Sequence, residues 1–437
     1  MKGTFYFKTL GCKVNSYETE AMEELFIRAG YTKAERADSS DVFVINTCTV
    51  THVSDSKSRQ MIRRAKRKNP DSIVCVVGCY CQVDPEAVSS IEGVDIIIGS
   101  KGRSEIVKLV EEFMEKGRKI ISIPNLEENR EFDDLEIHTE LDTTRAAIKI
   151  QEGCDMFCTY CIIPYARGHI ASRSMDSIIK EAENLASRGF KELVLTGIHV
   201  ASYGKEPGGQ GDLIDVVEKV GQIRGLERIR LSSIEPRWVN MEKLQRLKAT
   251  GKFCPHFHLS LQSGSDHILE LMNRKYNREV YYEKISMIRS VFPNAGLTTD
   301  IIVGFPGESE EDFQDSLYFC KKVGFSRMHI FPYSPRQGTP AALFDNQIDP
   351  RVKKARAEEF KKLELALRYD FMDSQEGKAC EVLVEEGDGS SPYLEGYAGN
   401  YVRMRLDRDE NIINKVLRGK FGKRVGDCVK FIRNGEI

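Results

Sequence analysis

Cys154-Asp155-Met156-Phe157-Cys158-Thr159-Tyr160-Cys161 places three thiols within eight residues. The alternating stretch Ile148-Lys149-Ile150-Gln151 just before it reads as a strand. The thiols therefore fall at the carboxyl end of the first strand of a βα series, the end at which such barrels bind and react. Thiolates are soft ligands suited to iron–sulfur clusters or zinc. A structural zinc site needs a fourth Cys or His, and His169 is the only local candidate. Three cysteines on a four-iron cube instead leave one iron open to an exogenous group. Buried thiols without metal are the bland alternative.

Working outward, strands near 148–151, 193–195, 229–232, 257–261, 299–303 and 329–331 alternate with helices near 176–187, 213–223, 241–248, 279–291 and 310–321. Six βα units are short of the eight that close a full barrel, so an open, partial (β/α)6 barrel is expected over 143–373, ending in a charged helix at 350–373. Ahead of it, 126–142 is acidic and poorly periodic, which suits a linker. Residues 1–125 form a second α/β alternation, with strands near 5–7, 42–45, 73–77 and 95–98 and helices near 16–28, 54–68, 84–91 and 103–114. Alternation of this kind implies crossovers and an open parallel sheet. Behind the barrel, 374–437 changes character: short runs at 381–384, 402–406, 412–417 and 427–432, separated by glycine and asparagine turns, read as a small antiparallel β module.

The 437 residues exceed one compact core, which agrees with three domains. With 41% apolar and 30% charged residues the chain is neither disordered nor collagen-like. A formal charge of −2 excludes a general polycation, so any nucleic-acid contact must come from local basic patches. No apolar run nears the roughly 18 residues of a membrane span, and the first residues lack a secretory apolar stretch. Twelve cysteines in such a chain point to a reducing, cytoplasmic setting and to metal rather than disulfides.

A second set of cysteines is distributed. Thr9-Leu10-Gly11-Cys12-Lys13-Val14-Asn15 follows the first strand, Asn46-Thr47-Cys48-Thr49-Val50-Thr51 the second, and Gly78-Cys79-Tyr80-Cys81-Gln82 the third. In a parallel sheet these carboxyl ends share one edge, so topology gathers Cys12, Cys48 and Cys79 although 36 and 31 residues separate them. Scattered buried cysteines are the alternative. Cys75, inside its strand, should be core; Cys81, two residues past the strand end, is open to either reading.

The Cys-x3-Cys-x2-Cys spacing at 154–161 resembles that of the radical S-adenosylmethionine superfamily. The resemblance implies that Cys154, Cys158 and Cys161 hold a 4Fe–4S cluster whose open iron chelates S-adenosylmethionine. Reductive cleavage of that cofactor yields a 5′-deoxyadenosyl radical, a route suited to C–H bonds too unactivated for acid–base chemistry. The segments around Cys12, Cys48 and Cys79 are similar to the methylthiotransferase branch, which joins an N-terminal cluster domain, a radical domain and a C-terminal RNA-binding TRAM module in this order. Carried over, these three cysteines would hold a second 4Fe–4S cluster bearing the sulfur to be transferred. The third motif usually reads Gly-Cys-x-Ala-Gln; here Cys81 replaces the alanine, and as an iron ligand it would block the open position. The wording of the first two motifs resembles that of enzymes acting on N6-threonylcarbamoyladenosine in tRNA. Relatives acting on isopentenyladenosine or on a ribosomal-protein aspartate usually carry other residues there.

What the resemblance implies is a cytoplasmic tRNA methylthiotransferase. One S-adenosylmethionine would methylate sulfur on the N-terminal cluster, and a second would generate the radical that abstracts hydrogen from C2 of the modified adenosine. Two 4Fe–4S clusters, S-adenosylmethionine, tRNA and a separate low-potential electron donor are the cofactors and partners implied; neither DNA nor a membrane is among them. The rivals are methylthiolation of isopentenyladenosine or of a ribosomal protein and, in another class, a zinc-bearing RNA-binding protein without catalysis. Strand ends supply the expected cofactor contacts: Gly197, Glu235, Gln262, Ser263 and Gly304. No catalytic side chain is assigned, and His199, His256, His258 and His329 read as hydrogen-bonded barrel residues. Phe157 and Tyr160 are expected to shield the cluster. RNA phosphates would meet the basic helix with Lys57, Arg59, Arg63, Arg64, Lys66, Arg67 and Lys68, and the tail, where seven basic residues face two acidic ones over 411–437. Arg403 and Arg405 share one strand face, with Tyr401 offered for base stacking.

Overall fold

Apolar strands that read as continuous runs must be covered on both faces, and the N-terminal sheet is built that way. The computed structural model describes residues 2–135, 144–387 and 391–433. Its first domain contains β1 (Thr4–Thr9), α1 (Lys13–Arg28), β2 (Thr32–Lys33), β3 (Val42–Thr47), α2 (His52–Lys68), β4 (Ile73–Gly78), the short helices α3 (Cys79–Val83) and α4 (Pro85–Ser89), β5 (Ile96–Ile98), α5 (Ile106–Lys116) and β6 (Ile120–Ser122). All pairings are parallel, in the order β2-β1-β3-β4-β5-β6. All six residues of β3 are buried. Val42 and Val44 pack with Phe5, Met22 and Phe26 on one face, while Phe43 and Ile45 pack with Ile62 and Val76 on the other. Thr9 pairs with Asn46 and Thr47 with Gly78, so the loops after β1, β3 and β4 rise from one edge.

The second domain runs β7 (Arg145–Glu152), α6 (Ile163–Arg167), β8 (Ala171–Ser172), α7 (Met175–Ser187), β9 (Glu192–Gly197), α8 (Leu213–Gly221), β10 (Arg228–Leu231), α9 (Met241–Ala249), β11 (His256–His258), α10 (Asp266–Leu271), α11 (Arg278–Val291), β12 (Gly296–Val303), α12 (Glu310–Val323), β13 (Arg327–Pro332) and α13 (Pro350–Asp373). Six parallel strands curve in two sheets, β10-β9-β7 and β11-β12-β13, joined by parallel bridges Ile229–Phe253 and Ile234–Leu259; β8 adds an antiparallel edge to β7. This is the partial barrel expected. Its open side faces the first domain, which is bonded to both rims. Lys149 of β7 reaches Glu18 of α1 at 2.9 Å, and Arg336 beyond β13 reaches Asp55 of α2 at 2.6 Å.

The third domain is a closed five-stranded barrel: β14 (Ala379–Glu385), β15 (Tyr393–Ala398), β16 (Arg403–Asp407), β17 (Val416–Val425) and β18 (Cys428–Arg433) in the order β14-β15-β16-β18-β17. One pair, β16–β18, is parallel, so the module is not purely antiparallel. β15 has no counterpart in the sequence reading, because its inward positions Leu394, Gly396 and Ala398 are mostly small. The run at 412–417 divides into a helical turn and the start of β17.

Two expectations change in detail. The segment at 126–142 is not a loose linker over its described part: Lys101 Nζ donates to the carbonyls of Asn129 and Glu131, Asp134 pairs with Arg173 at 2.8 Å, and Leu135 O accepts the Tyr17 hydroxyl at 2.6 Å. Its backbone and Asp134 thus hold the buried cations Lys101 and Arg173; residues 136–142 lie outside the described part. Tyr401 is not presented to solvent for stacking. It lies in the turn between β15 and β16 at φ +70°, stacked on His256 at 4.7 Å with the Arg230 guanidinium 4.4 Å from its ring. The same turn gives the carbonyls of Tyr397 and Gly399 to Arg228 and Arg230, each at 3.0 Å. Asn400 sits so close that a Cβ on Gly296 would lie 2.1 Å from its oxygen. The turn therefore plugs the amino-terminal mouth of the partial barrel.

Candidate active site with two cysteine triads

The 154–161 loop is fixed at both ends by backbone. Gly153 takes φ +71°, and a Cβ there would strike the His169 carbonyl at 1.8 Å, so only glycine lets the chain turn off β7. Cys154 N–H donates to Gly168 O and Cys161 N–H to Cys158 O. Thr159 binds Leu271 O through its hydroxyl at 2.7 Å and Met272 O through its amide. Burial pushes the Cys154 thiol up to about 11 and the Cys161 thiol up to about 12. Arg274 donates through Nη1 to Cys158 Sγ at 3.2 Å. His169 is not free to act as a fourth zinc ligand: its ring nitrogens meet Asp155 at 2.6 Å and Glu127 at 2.9 Å. Phe157 is 43% exposed and packs edge-on with Tyr165, so it shields less than expected; Tyr160 packs beside Phe305 and Tyr333.

The other triad assembles as the parallel topology requires. Gly11, at φ +117°, brings the first loop so close that a Cβ there would lie 2.8 Å from Cys48 Cβ. Asn15 ties the loops together, its Nδ2 donating to Leu10 O at 2.7 Å and Thr47 O at 2.9 Å. Cys79 begins α3 after Gly78, which is at φ +102°. Burial raises the Cys79 thiol to about 11 against the pull of Arg167, with Cys48, Cys12 and Glu18 acting on it as well. Cys75 is strand core, and Cys81 is buried with Phe43, Ile45 and Val76 in the apolar cluster under the sheet.

Arg167, six residues past Cys161, joins the two triads. It is fully buried; Nε donates to Cys79 Sγ at 3.1 Å, Nη1 binds Glu152 at 2.8 Å and Glu18, and Nη2 donates to Asn15 Oδ1 at 2.7 Å. Lys149 and Arg103 also bind Glu18, at 2.9 and 3.0 Å. Despite burial, these cations hold the Glu18 carboxyl well below the usual range. Arg167, Lys149 and Arg103 thus meet Glu18 and Glu152 in a buried seam, with Asp133 and Lys101 at its edge, and Arg167 turns one N–H of that network to the Cys79 sulfur.

That donor set fits thiolate-bound clusters. Guanidinium N–H groups at Cys158 and Cys79 match sulfurs that carry negative charge. Sulfurs on one tetrahedral zinc stand about 3.8 Å apart, given bonds of about 2.3 Å. Among the described residues, the group whose ligand atoms all lie within 4.8 Å of one another is His258, Asp300 and His329 rather than either cysteine triad. Neither triad therefore holds its three sulfurs at the mutual spacing of a single zinc site. Neither triad includes a fourth protein ligand in the bonded geometry described.

The expected cofactor residues lie at the strand ends with different partners. A Cβ on Gly197 would lie 2.7 Å from Gln151 O, so this glycine permits close passage beside β7. Glu235 is buried and accepts from Arg237 Nε at 2.8 Å, and Arg237 also contacts Met156 of the cysteine loop. Gln262 stands at φ +72°, its backbone bonded to Asp300 and Ile302. The Ser263 hydroxyl is shared with Ser316 of α12, and Gly304 N–H donates to Glu308 at 2.6 Å; both serve the loop framework in this structure. Sequence reasoning gave His199 no role beyond a hydrogen-bonded barrel residue and singled out Glu235 rather than Ser232. His199 Nδ1 does meet Ser202, but His199 Nε2 and Ser232 Oγ are buried polar atoms that have no partner among the described residues. Burial, with Arg274 and Arg237, pushes His199 down to about 4, so its ring is neutral. Their only sequence signal is their place one or two residues beyond β9 and β10.

Comparison with known proteins agrees with this geometry. The sequence profile of the Radical SAM superfamily matches residues 148–320, and that of the uncharacterized protein family UPF0004 matches residues 4–99. A threonylcarbamoyladenosine tRNA methylthiotransferase MtaB of Bacillus subtilis (strain 168) is 40% identical over 96% of this chain and 94% of its own. The enzyme of the same name from Aquifex aeolicus (strain VF5) is 42% identical over 87% and 92%. A tRNA-2-methylthio-N(6)-dimethylallyladenosine synthase of Pelotomaculum thermopropionicum is 34% identical over 93% and 92%. Among solved structures, the radical S-adenosylmethionine methyltransferase TsrM of Kitasatospora setae superposes with a TM-score of 0.57 over 78% of this chain and 75% of that one, at 14% identity, which shows the fold. The partial barrel and its cysteine loop thus define a radical SAM enzyme. Within that class, the chain belongs to the methylthiotransferase family.

Proposed function

We propose that this chain is a tRNA methylthiotransferase that places a methylthio group on C2 of N6-threonylcarbamoyladenosine beside the anticodon, using S-adenosylmethionine and two 4Fe–4S clusters. The observation that carries the reading is Arg167: one buried guanidinium bonded to Cys79 and, through Glu152, to the strand that ends at Cys154. The two relatives named for threonylcarbamoyladenosine, at 40% and 42% identity against 34% for the dimethylallyladenosine synthase, support the substrate.

When bound, a cluster on Cys154, Cys158 and Cys161 would supply the electron for cleaving S-adenosylmethionine, and one on Cys12, Cys48 and Cys79 the sulfur to be transferred. The chain's own groups hold and shelter that chemistry. Arg274 and Arg167 direct N–H groups at one sulfur of each triad, which stabilises the anionic ligands. Gly197, Glu235 and Gln262, with His199 Nε2 and Ser232 Oγ, offer close backbone and polar atoms to S-adenosylmethionine at the strand ends. The first domain covers the barrel's open side and the Tyr397–Tyr401 turn its floor, so water is kept from both directions. Exposed Lys415, Lys420, Lys423, Lys430 and Arg433 on the third domain, and Lys57, Arg63, Arg64, Arg67 and Lys68 on α2, offer cations to RNA phosphates. Arg59 and Lys66 of that helix are instead bonded to Tyr80 and Asp95.

The test is nucleoside analysis of tRNA after anaerobic turnover with a low-potential reductant. Wild-type protein should convert N6-threonylcarbamoyladenosine to its 2-methylthio form, and Cys158→Ala should neither convert it nor form 5′-deoxyadenosine. Methylthiolation of isopentenyladenosine or of a ribosomal protein alone would overturn the substrate.

A further inference from the structure

Along β11, β12 and β13 the side chains alternate. Phe257, Leu259, Leu297 and Ile301 face the helices and the main core. His256, His258, Thr298, Asp300 and His329 face the lumen, where register sets His258 beside Thr298 and Asp300 beside His329. His258 bridges Thr298 at 3.0 Å and Asp300 at 3.3 Å, and its ring lies 6.0 Å from that of His329. Unlike the seam around Arg167, this layer is open: the Asp300 side chain keeps 30% of its surface and His329 is exposed. The first domain adds a cation. Lys13, next to Cys12 at the start of α1, is exposed, and its charge acts on His329, His256 and Tyr401. Partial desolvation by its neighbours is the main reason His329 ionises less readily than usual, with Asp300 opposing and His258, Arg327 and Lys13 assisting.

The layer therefore offers one carboxylate and two imidazoles within 4.8 Å of one another, with the charge of Lys13, the residue after Cys12, acting on it from the first domain. A divalent cation would meet the Lys13 charge. A ligand with its own carboxylate and several N–H or O–H donors matches every group. We infer that Lys13, His258, Asp300 and His329 form the subsite that reads the threonylcarbamoyl arm of the target adenosine. Its carboxylate lies toward Lys13, and its carbamoyl N–H and hydroxyl toward Asp300 and the imidazoles. The inference rests on the substrate proposed above and explains how it is told from isopentenyladenosine, whose hydrocarbon arm would leave Lys13 and Asp300 desolvated and unmatched.

The test is binding of full-length protein to fluorescent anticodon stem-loop RNAs that differ at one nucleotide: N6-threonylcarbamoyladenosine, its carboxylate methyl ester, N6-isopentenyladenosine, or adenosine. Wild type should favour the first over each of the others by about ten- to hundredfold, as expected for one charge-assisted hydrogen bond. His329→Leu and Asp300→Asn should lose most of the preference over the isopentenyladenosine and adenosine RNAs while binding the adenosine RNA as wild type does, with unchanged iron content and thermal melting. Equal affinity of wild type for the acid and its ester would overturn the subsite. So would a preference kept by both variants, or stoichiometric zinc or manganese uptake abolished by His329→Leu. If wild type modifies only isopentenyladenosine in the turnover experiment, it is the substrate assignment that fails.

Discussion

Arg167 gives its Nε–H to Cys79 while its terminal nitrogens hold Glu18, Glu152 and Asn15, so one side chain sets both the charge beside the Cys79 sulfur and the alignment of two domains. The two duties are separable. Arg167→Met should unfold the interface, because Glu18 and Glu152 would lose a buried partner at a cost of about 3–5 kcal/mol. Arg167→Lys keeps the charge and loses the planar fork that reaches sulfur. We expect this variant to fold and to load the Cys154 triad normally. Under chelator challenge, however, its iron should fall from about eight toward about four per chain, as a lost outer-shell partner weakens metal binding about 10–100-fold. Iron retained at wild-type levels, with an unchanged redox titration by electron paramagnetic resonance, would remove Arg167 from the cluster's support. The cysteines themselves were legible because their spacing is local or follows from sheet topology. Arg167, Arg274 and Lys13 were not, since a charged residue in a loop or at a helix start reads as solvated until its partners are known.

At the scale of elements, Glu192 at the start of β9 binds Arg228 and Arg230 of β10, the same arginines that hold the turn between β15 and β16. Burial opposes its ionisation, yet Arg230 and Arg228 hold it down to about 2, against about 4.3 in an unfolded chain. A depressed carboxyl stabilises the fold fully above the unfolded value and loses that contribution as pH falls through the folded one. Two units correspond to about 3 kcal/mol, lost between about pH 4 and pH 2. Wild-type melting temperature should therefore drop more steeply over this window than that of Glu192→Gln, which starts lower because it leaves two buried arginines unmatched. Parallel slopes would show that Glu192 does not carry the acid sensitivity. The helices and most strands could be read from periodicity, and α13 begins and ends where its apolar pattern and Asp349-Pro350 cap place it. The turn after β15 was misjudged: a tyrosine beside two arginines suggests RNA, but the arginines that claim its ring and the carbonyls around it lie some 170 residues upstream, on β10.

For the whole molecule, the proposed function divides recognition between surfaces of different chemistry. On that reading, basic residues on the third domain would meet phosphates and position RNA without reading sequence, whereas the lumen would discriminate the modified base. Substituting Lys420 and Lys423 together with glutamine should weaken all four stem-loop RNAs alike. The slope of log affinity against log salt should fall by about 1.4, about 0.7 for each phosphate contact on single-stranded RNA. A slope that does not move would place the RNA elsewhere on the surface. Net charge gave no hint of this division, because 66 acidic residues mask 64 basic ones in the total.

The turn from Tyr397 to Tyr401 makes the third domain a cork as well as a handle. Its carbonyls and ring are built into the base of the neighbouring barrel, so this domain cannot swing on a tether like an independent RNA-gripping module. On the proposed function it would work as a rigid ruler, setting one fixed span between the basic surface offered to RNA and the lumen where the base is altered. An enzyme trimmed after residue 373 would be leaky as well as blind, with bulk solvent entering from below the chamber in which a carbon-centred radical has to survive.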